Sequence, residues 1–390
     1  MSAVPDDLFP PLPAAGRAGL DRMRAAVEAV LPLKPRHRVE LPFAIRDLSR
    51  LLTEDRALRR PDYMADPRFF AAYLYYFLPW NLFRMARLFR GIGMDLPGGT
   101  HVVDLGSGPL TVPIAMWMGL PELRDRALSF TCVDLAPRSM RTGLALFQHV
   151  AGPDAPWRFR LVKGSLDAGE AGGADWVVAA NAFNELDHSA RSAARLERSA
   201  HLLARGVRPG GRLLLVEPGT RWGGHAVSML RGMLLELGMV PLAPCPHDGE
   251  CPMPGTSHGA WCHFNFDVGG APRWLADLTA RARMPKADVS VSFLLAAQGD
   301  AVPSGGVRAV SQPFAVPGGA GVYGCSDRGL TLLTAPRATG LPRPGRRVAA
   351  AWPDDDRRDA KSGAAILPMP ATAGPARGAG AGVPDDVRRR

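Results

Sequence analysis

Apolar residues in the first quarter of the chain repeat with the spacing of amphipathic helices. Leu20, Met23 and Val27 fall on one helical face, and the same period continues through residues 45–52. Asp66 followed by Pro67 supplies a capping acid and a first-turn proline for a further helix. The pattern predicts a helical N-terminal region over residues 1–97.

Apolar runs of strand length alternate with helical patterns from residue 98 to residue 240. The strand-like runs are 101–105, 128–134, 157–162, 176–180 and 212–216, and the helical runs are 112–118, 138–149, 190–203 and 226–238. Uniformly apolar strands separated by helices are typical of a parallel sheet that is covered on both faces. This part of the chain therefore predicts a doubly wound α/β core.

The pattern changes again after residue 240. Residues 241–335 contain a cysteine-rich insert, a helix and a strand that continue the core, and three short strand-like runs of a small β subdomain. From residue 336 the chain is rich in Pro, Gly, Ala and Arg and has no apolar period. Residues 336–390 are therefore expected to form a disordered tail.

The turn after the first core strand has the composition of a cofactor-binding loop. Residues 102–110 read VVDLGSGPL, and the glycines allow the backbone to approach a ligand closely at the start of a helix. The second strand ends at Asp134, where an acid accepts hydrogen bonds from ribose hydroxyls. Thr111 stands where the dinucleotide fingerprint has its third glycine, which disfavours a dinucleotide.

This arrangement resembles class I S-adenosylmethionine-dependent methyltransferases, which have a Rossmann-like α/β fold. The resemblance implies binding of the methionine moiety, the ribose and the adenine, in that order along the sheet. The implied residues are Asp104 with the Gly106 and Gly108 backbone for the methionine, Asp134 for the ribose, and Asp167 for the adenine. Leu110 departs from the pattern, because glycine is common at that position, and it is expected to narrow the pocket.

Asn181 and Glu185 are the candidate catalytic residues, because they follow the fourth strand, where such enzymes keep substrate contacts. Neither belongs to a recognisable catalytic tetrad such as Asn/Asp-Pro-Pro-Tyr/Phe. Methyl transfer to a nitrogen often needs only positioning and desolvation, so the reaction does not require further catalytic residues that a sequence would reveal. Cys132 lies within a strand and is assigned to the core.

The other four cysteines lie in the second half of the chain. They are Cys245, Cys251, Cys262 and Cys325, with the spacing C-x5-C-x10-C-x62-C. The spacing lacks the tight knuckles of structural zinc sites, so it favours an iron–sulfur cluster over zinc, and a purely structural thiol cluster comes third. His247 and His263 are candidates to replace a cysteine ligand, to form hydrogen bonds around the cluster, or simply to pack in the loop.

The expected compartment is the reducing cytoplasm, where clustered cysteines favour a metal over disulfides. The first residues are acidic and interrupted by Pro5, unlike a signal peptide or an arginine-rich transit helix. The most apolar stretch, residues 71–83, is too short to span a bilayer, so no membrane partner is expected.

The net charge of +10 admits two interpretations. Only four of the 47 basic residues are lysine, and arginine forms bidentate contacts with phosphate, so RNA or another polyanion is one candidate partner. A GC-rich genome, which favours Arg, Ala, Gly and Pro throughout a chain, explains the same composition.

A longer set of motifs resembles a specific family. The segments 217–220 (EPGT), 244–247 (PCPH) and 261–264 (WCHF) occur in this order behind the glycine loop. Together they resemble the methyltransferase-like assembly factors of the mitochondrial small ribosomal subunit and their bacterial relatives, over roughly residues 40–335. The tail departs from the pattern, because relatives usually close with a basic segment.

The family resemblance implies three properties. They are binding to small-subunit rRNA during ribosome assembly or translation, an S-adenosylmethionine pocket, and a four-iron, four-sulfur cluster bound by Cys245, Cys251, Cys262 and Cys325. The leading hypothesis is an rRNA methyltransferase in the bacterial cytoplasm, with no DNA partner. The alternatives are a non-catalytic ribosome assembly factor with the same fold, and a small-molecule methyltransferase with a zinc-stapled insert.

Overall fold

The computed structural model describes residues 4–53, 63–165, 172–183, 190–256 and 259–370. The N-terminal region is helical, as predicted. Its helices are α1 (Ala14–Val30), α2 (Pro35–Thr53), α3 (Pro67–Ala72) and α4 (Leu78–Gly91), and a π-helical turn, Tyr73–Phe77, joins α3 to α4. Asp66 caps α3 by accepting a hydrogen bond from the Arg68 N–H, at 2.8 Å.

Strands and helices then alternate through the core. The elements are β1 (His101–Leu105), α5 (Thr111–Gly119), β2 (Ser129–Asp134), α6 (Pro137–Ala151), β3 (Arg158–Lys163), β4 (Ala174–Ala180), α7 (Ala190–Gly206), β5 (Val207–Pro218), α8 (Arg221–Glu236), β6 (Met239–Ala243), β7 (Phe264–Asp267), α9 (Arg273–Arg281) and β8 (Asp288–Gln298). Their order matches the alternation that the apolar pattern predicts.

The central sheet has the strand order β3-β2-β1-β4-β5-β8-β6, and β7 also pairs with β8. Strands β1 to β5 are mutually parallel, whereas β8 runs antiparallel to β5. Both faces are covered, because alternate residues of β1 enter different cores. Val102 packs with the N-terminal helices, and Val103 packs with α7 and α8.

A second sheet forms the small β subdomain. It contains β9 (Val307–Ala309), β10 (Phe314–Val316), β11 (Gly319–Ser326), β12 (Gly329–Ala335), β13 (Arg347–Val348) and β14 (Ala365–Pro368). The strand order is β13-β9-β11-β12-β14, with β10 paired to β11. Its core consists of residues that include Val307, Val322 and Leu333.

Residues 336–370 were expected to be disordered, but in the structure they contribute strands to the second sheet. Here β13 pairs with β9, β14 pairs with β12, and Leu367 is 2% exposed. The strands are too short to show an apolar period, and they depend on partners that lie distant in sequence. Residues 371–390 lie outside the described part of the chain.

Arg308 joins the small sheet to two other parts of the molecule. Its fully buried guanidinium donates to the Pro244 carbonyl at 3.3 Å, and to the Asp6 and Gly345 carbonyls at 2.9 Å each. One side chain thus connects the N-terminal segment, the insert after β6 and the segment before β13.

Replacing Arg308 by methionine removes these charged donors and leaves buried carbonyls without partners. We expect Arg308→Met to cost about 3 kcal/mol, which lowers Tm by about 5 °C or more. Thermal unfolding followed by circular dichroism measures the effect, and Arg346→Met, at an exposed neighbour, is the control. Equal Tm values for the two variants would show that Arg308 does not hold the three segments together.

Candidate functional site

The glycine loop after β1 is held to the end of β2 by Asp134. The Gly108 N–H donates to Asp134 Oδ2 at 2.9 Å, and the Ala136 N–H donates to Oδ1 at 2.8 Å. Gly106 and Gly108 have positive φ angles of 72° and 50°, which glycine adopts without a steric penalty. Asp134 therefore shapes the loop as well as facing the cavity in front of it.

A cavity with about 1070 Å³ of open space lies at the carboxyl ends of β1 and β4. It occupies the point where the strand order reverses, which is where open α/β sheets bind ligands. We call it the cofactor cavity. The described lining residues are Tyr63, Met64, Tyr73, Gly106, Ser107, Gly108, Pro109, Thr111, Asp134, Leu135, Ala136, Ser139, Gly164, Ser165, Ala180, Asn181, Ala182 and Arg195.

The structure brings together four of the predicted cofactor and catalytic residues. Gly106, Gly108, Asp134 and Asn181 all line the cofactor cavity, whereas Asp104 does not. Two more predicted residues, Asp167 and Glu185, lie outside the described part of the chain.

Asp104 is fully buried within the sheet, between Cys132 of β2 and Val178 of β4. Neither of its carboxylate oxygens has a hydrogen-bond partner among the described residues. Burial raises the pKa of Asp104 well above its usual value, and the nearby Asp134 raises it further.

Leu110 was expected to narrow the cofactor cavity, but it does not line that cavity. Its side chain is fully buried in the core, and its backbone adopts the left-handed conformation, with φ 55°, at the start of α5. The loop is packed tightly from behind, because a Cβ added at Gly143 of α6 would lie 2.2 Å from the Pro109 carbonyl carbon. The sequence indicated the glycine loop but not this requirement for Gly143.

A second cavity, with about 1230 Å³ of open space, adjoins the first. We call it the aromatic cavity. Its described lining residues are Ser49, Leu52, Thr53, Tyr63, Tyr73, Tyr76, Phe77, Trp80, Asn81, Arg84, Asn181, Pro218, Gly219, Thr220, Met284, Lys286, Val289 and Ser290. Tyr63, Tyr73 and Asn181 line both cavities, so the two spaces meet at these residues.

Arg84 fixes Asn181 where the cavities meet. Its guanidinium donates to Asn181 Oδ1 at 3.0 Å, to Asn81 Oδ1 at 2.8 Å and to the Ser290 carbonyl at 2.9 Å. Burial lowers the pKa of Arg84 to about 10, so the side chain remains a cation at neutral pH. Sequence reasoning missed Arg84. Its position directly after the apolar stretch 71–83 could have indicated a buried arginine.

A third cavity, with about 490 Å³ of open space, is lined by all four clustered cysteines. We call it the cysteine cavity. Cys245 follows β6, Cys251 lies in the next loop, Cys262 precedes β7 and Cys325 lies on β11. Two segments of the chain, the loop between β6 and β7 and strand β11, therefore bring the predicted ligands to one place, whereas Cys132 stays in the core of the central sheet.

Arg231 supplies positive charge beside these thiols. Its Nε–H donates to Cys245 Sγ at 3.2 Å, and its Nη2–H groups donate to the His247 and Gly249 carbonyls at 2.9 and 2.8 Å. The sequence indicates that Arg231 is buried, because it lies one turn from Val227 and Leu234 on the apolar face of α8.

The two candidate histidines behave differently. His247 lines the cysteine cavity, and its Nε2 lies 3.1 Å from Cys325 Sγ. His263 does not line it; the ring stacks on Trp261 at 4.6 Å, and Nδ1 lies 3.1 Å from the Trp261 carbonyl. Only His247 is therefore placed to act on the thiols.

The thiols influence one another electrostatically. Burial raises the pKa of Cys262 and Cys325 well above the usual thiol value, and the neighbouring cysteines raise it further. Within the described ranges, no three His, Cys, Asp or Glu side chains are grouped as ligands of one metal ion. All four cysteines line the cysteine cavity.

The fold and the cofactor cavity define the class. A parallel sheet extended by an antiparallel β8 between β5 and β6, with a glycine loop at the switch point, is the class I methyltransferase architecture, which confirms the predicted fold class. The chain belongs to the family described as mitochondrial small ribosomal subunit Rsm22, whose sequence profile matches residues 96–330. No curated protein matches the chain in a sequence search.

Solved methyltransferase structures overlap the chain loosely. A Pyrococcus furiosus methyltransferase is 12% identical over 53% of this chain and 78% of its own, with a TM-score of 0.32. Phosphoethanolamine N-methyltransferase 2 of Haemonchus contortus, in complex with S-adenosyl-L-methionine, is 11% identical over 61% of this chain and 60% of its own, with a TM-score of 0.36. The fold class rests on the strand order.

The expected bacterial cytoplasmic location is wrong. The family description names the mitochondrial small ribosomal subunit, which points to the mitochondrion. The expectation rested on the composition of the first few residues and on the short apolar stretch 71–83, and neither decides the compartment. None of the helices in the described part of the chain is long and apolar enough to cross a membrane.

The raised pKa of Asp104 predicts a specific pH dependence of stability. The folded protein holds this proton more tightly than the unfolded chain, so the stabilisation is present below about pH 4 and is lost as the pH rises through the folded-state pKa. An asparagine side chain at this position cannot titrate. We therefore expect Asp104→Asn to gain stability relative to wild type by about 1.4 kcal/mol for each pH unit above pH 4, until that pKa is reached.

Urea unfolding at several pH values between 4 and 8 measures this difference. Asp354→Asn, at an exposed position, is the control for replacing a carboxylate by an amide. A stability difference between Asp104→Asn and wild type that stays constant across this range would contradict the prediction.

Proposed function

We propose that this protein acts on small-subunit rRNA as an S-adenosylmethionine-dependent methyltransferase, with a four-iron, four-sulfur cluster in the cysteine cavity. The observation that carries the proposal is the convergence of Cys245, Cys251, Cys262 and Cys325 on one cavity. The family match over residues 96–330 includes all four cysteines together with the glycine loop. It also supplies the link to the ribosome.

The cofactor cavity suits S-adenosylmethionine. Gly106 and Gly108 leave the backbone of the loop accessible, and space is open where a Cβ at Gly108 would lie. Ser107 and Ser139 present buried hydroxyls that have no partner among the described residues. Asp134 offers a carboxylate beside them. When bound, the cofactor would supply a methyl group, and these residues would hold and orient it.

The cysteine cavity suits an iron–sulfur cluster. Four thiolates in a buried space need nearby positive charge, and iron supplies most of it. Arg231 donates to Cys245 Sγ, and Arg308 also lines the cavity, so the chain adds two cations around the sulfurs. Cys245, Cys251 and Cys262 of the loop between β6 and β7 and Cys325 of β11 would hold the cluster, which would supply electron transfer when bound.

Ribosomal RNA is the partner that the charge and the family favour. The chain carries a net charge of +10, and the family description names the small ribosomal subunit. The cofactor cavity shares the lining residues Tyr63, Tyr73 and Asn181 with a second space of similar size, which an acceptor group could enter. A second space next to the cofactor cavity favours an enzyme over a non-catalytic assembly factor, which would need no acceptor space.

Metal content tests the cluster directly. We expect anaerobically purified wild-type protein to be brownish and to contain iron and acid-labile sulfide, and Cys251→Ser to lose most of both, because one ligand is missing. Cys132→Ser is the matched control, since Cys132 lies outside the cavity. Colourless protein that contains zinc would contradict the cluster and favour a small-molecule methyltransferase with a zinc-stapled insert.

Methyl transfer tests the enzyme hypothesis. Wild-type protein incubated with radiolabelled S-adenosylmethionine and immature small subunits should label the rRNA. Asp134→Ala should abolish binding of the cofactor, because the carboxylate holds the glycine loop. Asp354→Ala is the control. Wild-type protein that binds subunits without labelling them would contradict the enzyme hypothesis and favour the assembly factor. In that case the Asp134→Ala variant should still bind subunits.

A further inference from the structure

The aromatic cavity has a chemical character that neither the cofactor nor the cluster explains. It meets the cofactor cavity at Tyr63, Tyr73 and Asn181, so a ligand within it would lie beside a bound cofactor. It is formed by the π-helical turn and α4 on one side and by the ends of β5 and β8 on the other. Single π-helical turns inside helices occur frequently at functional sites.

Its charged lining is cationic. Arg84 is 8% exposed, and its Nε has no hydrogen-bond partner among the described residues although the other guanidinium nitrogens are engaged. Lys286 is exposed, and its ammonium lies 5.6 Å from the centre of the Trp80 ring. None of the described lining residues is Asp or Glu. A cationic amine would be repelled here, whereas an anion would be attracted.

The same cavity presents aromatic surface. The half-buried rings of Tyr73 and Phe77 are nearly parallel, with centroids 6.1 Å apart, and both line the space. Aromatic side chains stack on the flat faces of bases that have left a helical stack. Aromatic rings, a buried guanidinium donor and an exposed ammonium together match one kind of ligand, an aromatic ring with hydrogen-bond acceptors that is linked to a phosphate.

We propose that the aromatic cavity binds a single unstacked nucleotide of RNA. The base lies against Tyr73 and Phe77 beside the Arg84 guanidinium, and Lys286 contacts the phosphate. The inference rests on the proposed function, because it identifies the acceptor that would face the cofactor. Taking one base out of its stack is how proteins reach a target atom that a duplex hides.

The test uses the full chain with uridine and cytidine 5′-monophosphate as probes, in the presence of saturating S-adenosylhomocysteine to occupy the cofactor cavity. Calorimetry or ligand-observed NMR gives the affinities. We expect Phe77→Leu to weaken binding about 10-fold through lost stacking. Lys286→Gln should weaken it about 5-fold through the lost phosphate contact.

Lys361→Gln, at an exposed lysine remote in sequence, should bind the probes as wild type does. Thermal unfolding and S-adenosylhomocysteine affinity show whether each variant is folded. Lys286 is exposed, so its variant tests the proposal even if Phe77→Leu is unstable. Ribose 5-phosphate, which lacks a base, should bind at least about 10-fold more weakly than either nucleotide.

Two outcomes overturn the proposal. In one, ribose 5-phosphate binds as tightly as the nucleotides; in the other, Lys286→Gln and Phe77→Leu both bind the nucleotides as wild type does. Failure of the proposed function looks different, because it appears as loss of cofactor binding or of subunit association. Nucleotide binding measured without S-adenosylhomocysteine would still be informative in that case.

Discussion

Strand β8 is the constraint on which the rest of the structure depends. Its eleven residues pair with β5 along one edge and with β6 and then β7 along the other. The ends of the cysteine loop are therefore fixed by backbone hydrogen bonds, with Ala243 opposite Leu295 and Phe264 opposite Val291. Because β5 also ends at the cofactor edge of the sheet, one strand sets the distance between the cofactor cavity and the cysteine cavity.

Buried arginines link segments that are distant in sequence through hydrogen bonds to backbone carbonyls. Arg87 donates to the carbonyls of Phe9, Pro10 and Asp267, while Arg231 and Arg308 hold the loop after β6. A guanidinium presents five donors in a fixed plane, so a single side chain can satisfy several carbonyls that no strand or helix pairs. Part of the arginine content therefore has a structural role that neither RNA binding nor genome composition describes.

The cofactor cavity and the aromatic cavity share the lining residues Tyr63, Tyr73 and Asn181. Asn181 adopts a left-handed backbone conformation, with φ 56°, and accepts a hydrogen bond from Arg84. A residue held in a strained conformation next to a ligand space is typical of functional sites. In the proposed function, a methyl donor and its acceptor would meet beside this residue.

The sequence by itself determined the periodic elements and the loops whose chemistry is local. The doubly wound core and the glycine loop followed from patterns within short windows, since strand alternation and glycine turns are set by near neighbours. Only the tertiary structure decided that Asp104 lies buried behind the cofactor cavity, that Arg84 reaches Asn181, and that residues 336–370 complete a sheet. Those outcomes depend on contacts between segments far apart in the chain, which local periodicity does not encode.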